Sequence, residues 1–225
     1  MKKEQWLPKE VYNNRKLIFT LAKNDFKTKY AGSYFGTIWA FVQPIVTICV
    51  YWFVFGLALR AGADRGVPFV LWLVAGLVPW FFLQDGLTGG TLSMIEYNYL
   101  VKKVVFNIRI LPVVKLISAV FVHVFFIFII IVLYGIMGFF PTLYYLQMLY
   151  YSFCLFCLLL GAVYLTSAVV VVFRDLNQII GIMLQVGVWM TPIMWNFADL
   201  GIGGWLEKIL KLNPMFYIVQ GYRDS

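Results

Sequence analysis

Cys154 and Cys157 have the spacing C-x-x-C, which redox-active and metal-binding thiol pairs use. Both lie inside one long apolar run, without polar neighbours and without the strand–helix–strand context of a redox motif. This setting favours the plainer interpretation, in which they are two small hydrophobic side chains on a membrane helix. Neither redox chemistry nor metal binding is predicted from them.

His123 lies in another apolar run, where an ionisable side chain is a functional candidate by default. No second acid or base occurs at a matching depth, so we expect a neutral imidazole that makes one interhelical hydrogen bond. The sequence also lacks G-x-x-x-x-G-K-[ST] and H-E-x-x-H. It therefore predicts no P-loop, no metal site, no catalytic residue and no cofactor in this chain.

The composition places the chain in the membrane class. Of 225 residues, 62% are hydrophobic and 12% are charged, whereas a soluble domain carries about 25% charged residues. The net charge is +8, and eight of the 18 Lys and Arg residues precede residue 30. A basic chain can bind nucleic acid, but this location beside the first apolar run favours a juxtamembrane segment attracted to anionic lipid.

Five apolar runs are long enough to cross about 30 Å of hydrocarbon as helices. We place them at residues 37–59, 68–88, 114–138, 146–172 and 179–196. Thirteen Lys and Arg residues then fall on one side of the membrane and five on the other. The positive-inside rule puts the N-terminus in the cytoplasm. The predicted fold is an all-α polytopic membrane protein with five transmembrane helices.

Arg174 and Asp175 separate the fourth and fifth runs. Burying both charges in the bilayer would cost several kcal/mol, and each run is long enough without them. We therefore predict a turn on the inner face. Asp175 is expected to act as an N-cap of the last span, with Arg174 facing lipid phosphate or a partner protein.

Residues 1–36 are the predicted cytoplasmic N-terminal segment, and residues 11–30 within it have helical periodicity. An apolar arc faces a lysine-rich arc, as in helices that lie in the membrane interface. Asp25 falls inside the apolar arc, where we expect Lys29 to pair with it at i,i+4. The helix is either a topology anchor or also a surface that docks a cytoplasmic partner.

Residues 95–112 form the longest inside loop of the domain that spans residues 37–196. The loop mixes large apolar residues with Lys and Arg, which predicts a short helix pressed against the membrane or against another protein. Residues 197–225 are predicted on the outer side. Trp205–Leu210 reads as a short amphipathic helix, and Asn213-Pro214 starts a second short segment. Neither can span, so both are expected to be interfacial or re-entrant.

Large aromatic residues cluster near the ends of the predicted spans. They are either the usual interfacial belt of a membrane protein or a lining for sugar, because flat ring faces stack on the C–H faces of pyranoses. The residues predicted to line a channel or lateral gate are Trp39, Phe41, Trp52, Trp80, Phe81 and Trp189.

Four segments of the chain resemble one family. These are "YAGSYFGTIWAFVQPIVTICVYWFVFG", "GLVPWFFLQDGL", "FRDLNQIIGIMLQVGVWMTPIMW" and "LKLNPMFYIVQGYRDS". They resemble the permease subunit of ABC exporters for cell-envelope polysaccharides, a group that includes the O-antigen and teichoic acid translocation permeases. The segment after the first span and the last of the four resemble the teichoic acid branch most closely.

The resemblance implies a homodimer of permeases with two cytoplasmic P-loop ATPase subunits, which hold the ATP and Mg. It also implies six spans, an N-terminal interface helix, a cytoplasmic coupling helix and short outer gate helices. This chain departs from the pattern by ending before a sixth span. Its residues 12–30, 95–109 and 199–222 match the interface helix, the coupling helix and the gate segments.

Functional positions follow as expectations. Coupling to the ATPase is expected at Tyr97, Tyr99, Phe106, Arg109, Arg174 and Asp175. Contact with the phosphate of a lipid-linked substrate is expected at Lys27, Lys29, Lys102 and Lys103. An outer gate is expected at Trp205, Pro214 and Tyr217.

The expected function is that of a transporter subunit in the plasma membrane. It would move lipid-linked polysaccharide, with wall teichoic acid as the first expectation, from the inner to the outer leaflet. O-antigen or another capsular polysaccharide is the alternative substrate. A membrane-embedded glycosyl- or acyltransferase would need a cluster of polar catalytic residues, which we do not find. A purely structural partner or receptor component is the third class.

Overall fold

The computed structural model describes residues 7–59, 67–98, 107–139, 143–197, 201 and 203–225. Every regular element in these ranges is helical. The helices are α1 (Leu7–Asn13), α2 (Arg15–Lys29), α3 (Trp39–Tyr51), α4 (Phe69–Glu96), α5 (Leu111–Ile136), α6 (Leu146–Val172), α7 (Leu176–Met190), α8 (Trp205–Leu210) and α9 (Pro214–Arg223). Short 3₁₀ turns precede α3, α5 and α6, and a π-helical stretch, Trp52–Ala58, continues α3.

Four of the five predicted spans are helices long and apolar enough to cross a membrane. They cover Gly36–Ala58, Phe69–Glu96, Ile108–Ile136 and Leu143–Val172. The second is longer than its predicted range of 68–88. Its 28 residues correspond to about 42 Å, so α4 is longer than the hydrocarbon core and its far end projects out of it.

The fifth predicted span is a shorter helix than the range 179–196 suggested. Helix α7 has 15 residues, which is about 22 Å. It ends at Met190 because Thr191 precedes Pro192 and adopts an extended conformation, with ψ of 130°. The five-span count therefore stays a prediction.

Helix α4 is the centre of the bundle. In its most apolar stretch 61% of the residues are buried, against 6% for the span Gly36–Ala58. The main core joins α4 to α5, α6, α7 and α9. A second, smaller core lies between α2 and the start of α5, with Ile18 and Ala22 packed near Ile110 and Val114. The apolar arc of α2 is thus covered by protein at these two positions.

The helix bundle has two distinct ends. We call the end of the bundle that carries α2, the last turns of α4 and the Arg174–Asp175 turn the α2 end. The opposite end, where α4 begins and α9 packs, is the α9 end. The short helices α8 and α9 begin at Trp205 and Pro214, as the sequence predicts.

Close packing of α4 against α6 depends on a missing side chain at Gly90. A Cβ there would lie 2.5 Å from Cγ1 of Val163, whereas a Cβ at Gly89 would meet nothing within 4 Å. Both are helix-interior glycines, so both gain the same helix propensity on replacement by alanine.

We expect Gly90→Ala to be less stable than Gly89→Ala by roughly 1–3 kcal/mol, because only the former overpacks the α4–α6 contact. Unfolding of the purified protein in mixed detergent–SDS micelles measures the difference. Adding Val163→Ala to Gly90→Ala should recover most of the loss. Equal stability of the two alanine variants would contradict the packing assigned here.

Candidate functional site

A groove of about 950 Å³ runs between α3, α4, α5 and α7. It is the larger of two cavities in the described part of the chain that bear on function. Its polar lining comprises Lys29, Gln43, Thr47, Gln84, Asp85, Thr88, His123 and Gln185. Its aromatic lining comprises Tyr30, Tyr51, Trp80, Phe81, Phe82, Phe126 and Trp189. The groove therefore combines ring faces with hydrogen-bonding side chains inside an apolar bundle.

Helical spacing brings these residues to one face of each helix. Gln43, Thr47 and Tyr51 follow at intervals of four along α3 and its C-terminal end. Phe81, Gln84 and Thr88, at intervals of three and four residues, share a face of α4. The Trp189 ring of α7 lies 6.5 Å from the Tyr51 ring, which places these two aromatic residues at the same level of the groove.

Three of the six predicted channel residues line this groove, namely Trp80, Phe81 and Trp189. The other three do not line it. Phe41 packs on Phe125, with ring centroids 4.2 Å apart. Trp39 and Trp52 are 42% and 40% exposed on the uncovered side of the first span, where interfacial anchoring is the simpler role.

The polar lining at Gln43, Gln84 and Gln185 is absent from the sequence prediction. Gln43 and Gln185 each stand alone in an apolar run, Gln84 precedes Asp85 at the end of one, and none belongs to a motif. Projecting the three runs onto helical wheels would have placed each amide among groove-facing neighbours. That the three faces converge depends on how the helices pack, which periodicity does not encode.

A buried ionic cluster ties α2 to α4 and α5 at the α2 end. The Lys115 ammonium donates to Asp25 Oδ1 at 2.6 Å and also contacts Glu96. The Tyr97 hydroxyl donates to the same Asp25 oxygen at 2.8 Å. Asp25 is only 9% exposed. Its place in the apolar arc of α2 is thus explained by a cation and a hydroxyl brought from two other helices.

The expected i,i+4 pair between Asp25 and Lys29 is wrong. Lys29 instead forms an ion pair with Asp85 of α4. Burial lowers the pKa of Lys29, but the neighbouring Asp85 carboxylate outweighs that effect, so the net pKa is raised above its ordinary value. Lys29 is therefore a cation at neutral pH. The long-range partners prevail because Lys115 meets Asp25 in a buried site and Asp85 meets Lys29 in a half-exposed one, whereas an i,i+4 pair on a helix surface contributes only about 0.3–0.5 kcal/mol.

The Lys29–Asp85 pair stands where two cavities meet. A smaller cavity of about 330 Å³ is lined by both residues and by Asp25, Glu96 and Lys115. The same pair lines the large groove. A charged entrance at the α2 end thus leads into the uncharged, aromatic part of the groove.

Of the remaining residues predicted to contact the ATPase or the substrate phosphate, some lie within the described part of the chain and others do not. Tyr99, Lys102, Lys103 and Phe106 lie outside the described residues, as does the centre of the predicted 95–112 helix; its two ends belong to α4 and α5. Arg109 is exposed in the turn before α5, where its carbonyl accepts a hydrogen bond from Tyr164 at 2.6 Å. Lys27 is exposed on α2.

Arg174 and Asp175 are exposed in the turn between α6 and α7, as predicted. Asp175 occupies the N-cap position of α7, as predicted, but its side chain does not cap the helix. Asp175 already has helical dihedral angles, φ −68° and ψ −13°, and makes no side-chain capping bond. A capping side chain needs an extended backbone to reach the free N–H groups. The charges of this turn thus remain at the surface.

Asn213, unlike Asp175, caps its helix, α9, with its side chain. Its backbone is extended, its side-chain oxygen accepts from Met215 N at 3.0 Å, and its amide donates to Thr191 Oγ1 at 2.9 Å. We expect Asn213→Ala to cost about 1–2 kcal/mol and Asp175→Ala less than about 0.5 kcal/mol. Micellar unfolding of the two variants tests this order, and a larger cost at Asp175 would overturn it.

Two residues, Arg223 and Tyr222, anchor α9 to the rest of the bundle. The Arg223 guanidinium lies 3.4 Å from the Trp72 ring centroid and donates to the carbonyls of Pro192 and Ile193 at 2.8 and 2.9 Å. The Tyr222 hydroxyl lies 3.0 Å from His123 Nε2 and also contacts Ser152. His123 thus has the predicted hydrogen bond to another helix, with its ring stacked on Phe82 at 4.4 Å.

The predicted outer-gate residues lie on or near the surface. Trp205 is 73% exposed on the six-residue helix α8, and Tyr217 is 56% exposed on α9. Pro214 is the first residue of α9, a position where its missing N–H costs nothing. Gate activity at these residues remains a prediction.

Comparison with known proteins adds independent findings. The model of the ABC-2 type transporter family matches residues 16–225. A protein of Myxococcus xanthus named O-antigen export system permease protein RfbA is 26% identical over 218 residues, covering 96% of this chain and 82% of the relative. A protein of the same name from Klebsiella pneumoniae is 24% identical over 215 residues, covering 92% of this chain and 79% of the relative.

Proposed function

This chain belongs to the ABC-2 type transporter family, and from that premise we propose that it is the permease of an exporter of O-antigen-type polysaccharide. Membership means that it is the membrane subunit of a transporter rather than an enzyme, and that it works with a separate ATPase. The glycosyl- or acyltransferase alternative is therefore not supported.

The substrate proposal departs from the first expectation, wall teichoic acid. The similar proteins from Myxococcus xanthus and Klebsiella pneumoniae carry the name of O-antigen export permeases. O-antigen-type polysaccharide, the alternative from the sequence, is thus better supported than teichoic acid. We propose that the polymer is lipid-linked and crosses from the inner to the outer leaflet.

The groove is the observation that carries the proposal. A volume of about 950 Å³ along four helices has room for several sugar rings. The exposed ring of Trp189 offers a stacking surface, and the side-chain amides offer hydrogen bonds. We propose that a lipid phosphate reaches the entrance before the sugar chain and contacts Lys29 there in competition with Asp85.

We place the α2 end in the cytoplasm, on the basis of the excess of Lys and Arg there. The exposed Arg109, Arg174 and Asp175 then face the side from which an ATPase approaches. Together with Tyr97, Tyr99 and Phe106 they are the proposed coupling positions. Lys27, Lys29, Lys102 and Lys103 are the proposed contacts for substrate phosphate.

A second copy of the chain is proposed to close the groove. The span Gly36–Ala58 borders the groove and is almost uncovered, with 6% of its apolar stretch buried. Lipid could cover such a face, but a polar groove beside it would then be open to hydrocarbon. A symmetric partner packed along this span would keep Gln43 and Thr47 away from lipid.

The test is reconstitution of the full chain with its P-loop ATPase. We expect the ATPase to co-purify with the tagged permease, and ATP to drive lipid-linked polysaccharide across the membrane of proteoliposomes that contain both subunits. A Walker A lysine variant of the ATPase is the control and should abolish transport. Absence of ATP-driven transport from an intact complex would refute the proposal.

A further inference from the structure

Three glutamines from three different helices face the same groove. Gln43 lies on α3, Gln84 on α4 and Gln185 on α7, and all three are exposed to the groove. Within the described part of the chain, no hydrogen-bond partner is found for their side-chain amides. Each amide therefore has two N–H donors and a carbonyl acceptor directed at whatever occupies the groove.

Two of these amides lie at membrane depth. Gln43 is seven residues into its span and Gln185 nine residues into α7, which is about 10 and 14 Å of rise. Both values fall inside a hydrocarbon core of about 30 Å. A polar group left without a partner at that depth costs several kcal/mol, so the groove must hold water or a polar solute that satisfies these amides.

Two threonines extend the polar surface along the same faces. Thr47 Oγ1 donates to the backbone carbonyl of Gln43 at 3.0 Å, and Thr88 Oγ1 donates to the backbone carbonyl of Gln84 at 2.7 Å. Since each hydroxyl proton is already committed to the backbone, each oxygen is left to accept. We call Gln43, Thr47, Gln84, Thr88 and Gln185 the amide track.

The chemistry of the track selects among polymers. A sugar hydroxyl donates one hydrogen bond and accepts others, so it uses both halves of a carboxamide. A phosphodiester only accepts, and it would place negative charge beside the amide carbonyls without a compensating cation. Lys29, the lysine that lines the groove, is already paired with Asp85 at the entrance.

We propose that the amide track binds the hydroxyl groups of an uncharged glycan and thereby makes the groove selective for neutral over polyanionic polymers. This inference rests on the proposed function, since it assigns the substrate class of the same groove. Trp189, which is 52% exposed, supplies a ring face beside the amides, so that a sugar unit meets both a stacking surface and a hydrogen-bonding group.

Binding can be tested without transport. The permease–ATPase complex in nanodiscs is titrated with fluorescently labelled maltoheptaose, as the neutral probe, and with labelled oligo(glycerol phosphate) of matched length, as the anionic probe. We expect maltoheptaose to bind at least tenfold more tightly. Gln43→Met, Gln84→Met and Gln185→Met should each weaken maltoheptaose about fivefold to tenfold and leave the anionic probe unchanged.

Methionine keeps the length of glutamine, so the variants change hydrogen bonding more than shape. Gln147→Met on α6 is the matched control because this glutamine does not line the groove, and its binding should equal that of the unaltered complex. The amide track is refuted if maltoheptaose does not bind, if the anionic probe binds equally well, or if the three variants bind like the control.

The two proposals fail separately. In one outcome, the complex binds maltoheptaose selectively, loses this binding in the glutamine variants and yet shows no ATP-driven polysaccharide transport. That result would support the amide track and refute the proposed exporter function. If ATP-driven transport is unchanged in the triple glutamine variant, the exporter function is supported and glycan binding by the amide track is refuted.

Discussion

Lys115→Met is expected to lower the free energy of unfolding by about 3 kcal/mol, because it leaves the buried carboxylate of Asp25 without its cation. Asp25 Oδ1 accepts from Lys115 at 2.6 Å and from Tyr97 at 2.8 Å. After the substitution only the tyrosine hydroxyl remains. The contact between α2 and the start of α5, which includes Ile18 and Val114, is the part of the fold expected to open first.

A second-site change separates charge burial from loss of packing. The double variant Lys115→Met, Asp25→Asn removes both charges and should recover at least half of the lost stability, since a neutral amide costs less to bury than a carboxylate. Lys27→Met is the surface control, expected within about 0.5 kcal/mol of the unaltered chain. Micellar unfolding measures all three. A Lys115→Met variant as stable as the control would show that the cluster does not hold α2.

Arg223→Met is the second large effect, with an expected loss of roughly 3 kcal/mol. The guanidinium donates to two adjacent carbonyls at 2.8 and 2.9 Å and covers the face of Trp72. Methionine retains some contact with the ring but leaves both part-buried carbonyls without this donor. Because these contacts join α9 to the turn after α7 and to α4, the variant should release α9 from the bundle.

Lysine at this position tests the geometry of the contact. Arg223→Lys keeps the charge but lacks the planar fork that reaches both carbonyls while stacking on the ring, so an intermediate loss is expected. Lys211→Met is the control, because Lys211 pairs with Glu207 only at the surface and should cost less than about 1 kcal/mol. Protease protection of α9 in nanodiscs, together with unfolding, measures both effects. A fully stable Arg223→Met would overturn the anchoring role.

Much of the architecture follows from local pattern. Four apolar runs of sufficient length are four helices of spanning length, because apolar side chains over that length are stable together only in a bilayer or a core. The two charges at Arg174 and Asp175 are a surface turn, and the short helices α8 and α9 start at Trp205 and Pro214. Each of these features depends on neighbours in the chain.

Errors arose where a short-range rule competed with a distant partner. The Asp25–Lys29 pair satisfied helical spacing, yet Asp25 pairs with Lys115 in a buried site and Lys29 pairs with Asp85 in a half-exposed one, because the packing of α2 against α4 and α5 brings these partners close. Asp175 holds the predicted N-cap position, but its side chain makes no capping bond because its backbone already has helical dihedral angles. The last predicted span was too long because Pro192 ended α7 at Met190.

The amino-acid pattern thus established the membrane class, most of the helices and the apolar arc of α2, since composition and periodicity describe which side of each helix avoids water. It also carried the resemblance to polysaccharide export permeases. The meeting of Gln43, Gln84 and Gln185 in one groove, and of Arg223 with Trp72, became visible only in the folded chain. Periodicity defines a face of a helix, but which face opposes which is determined by the simultaneous packing of all the helices.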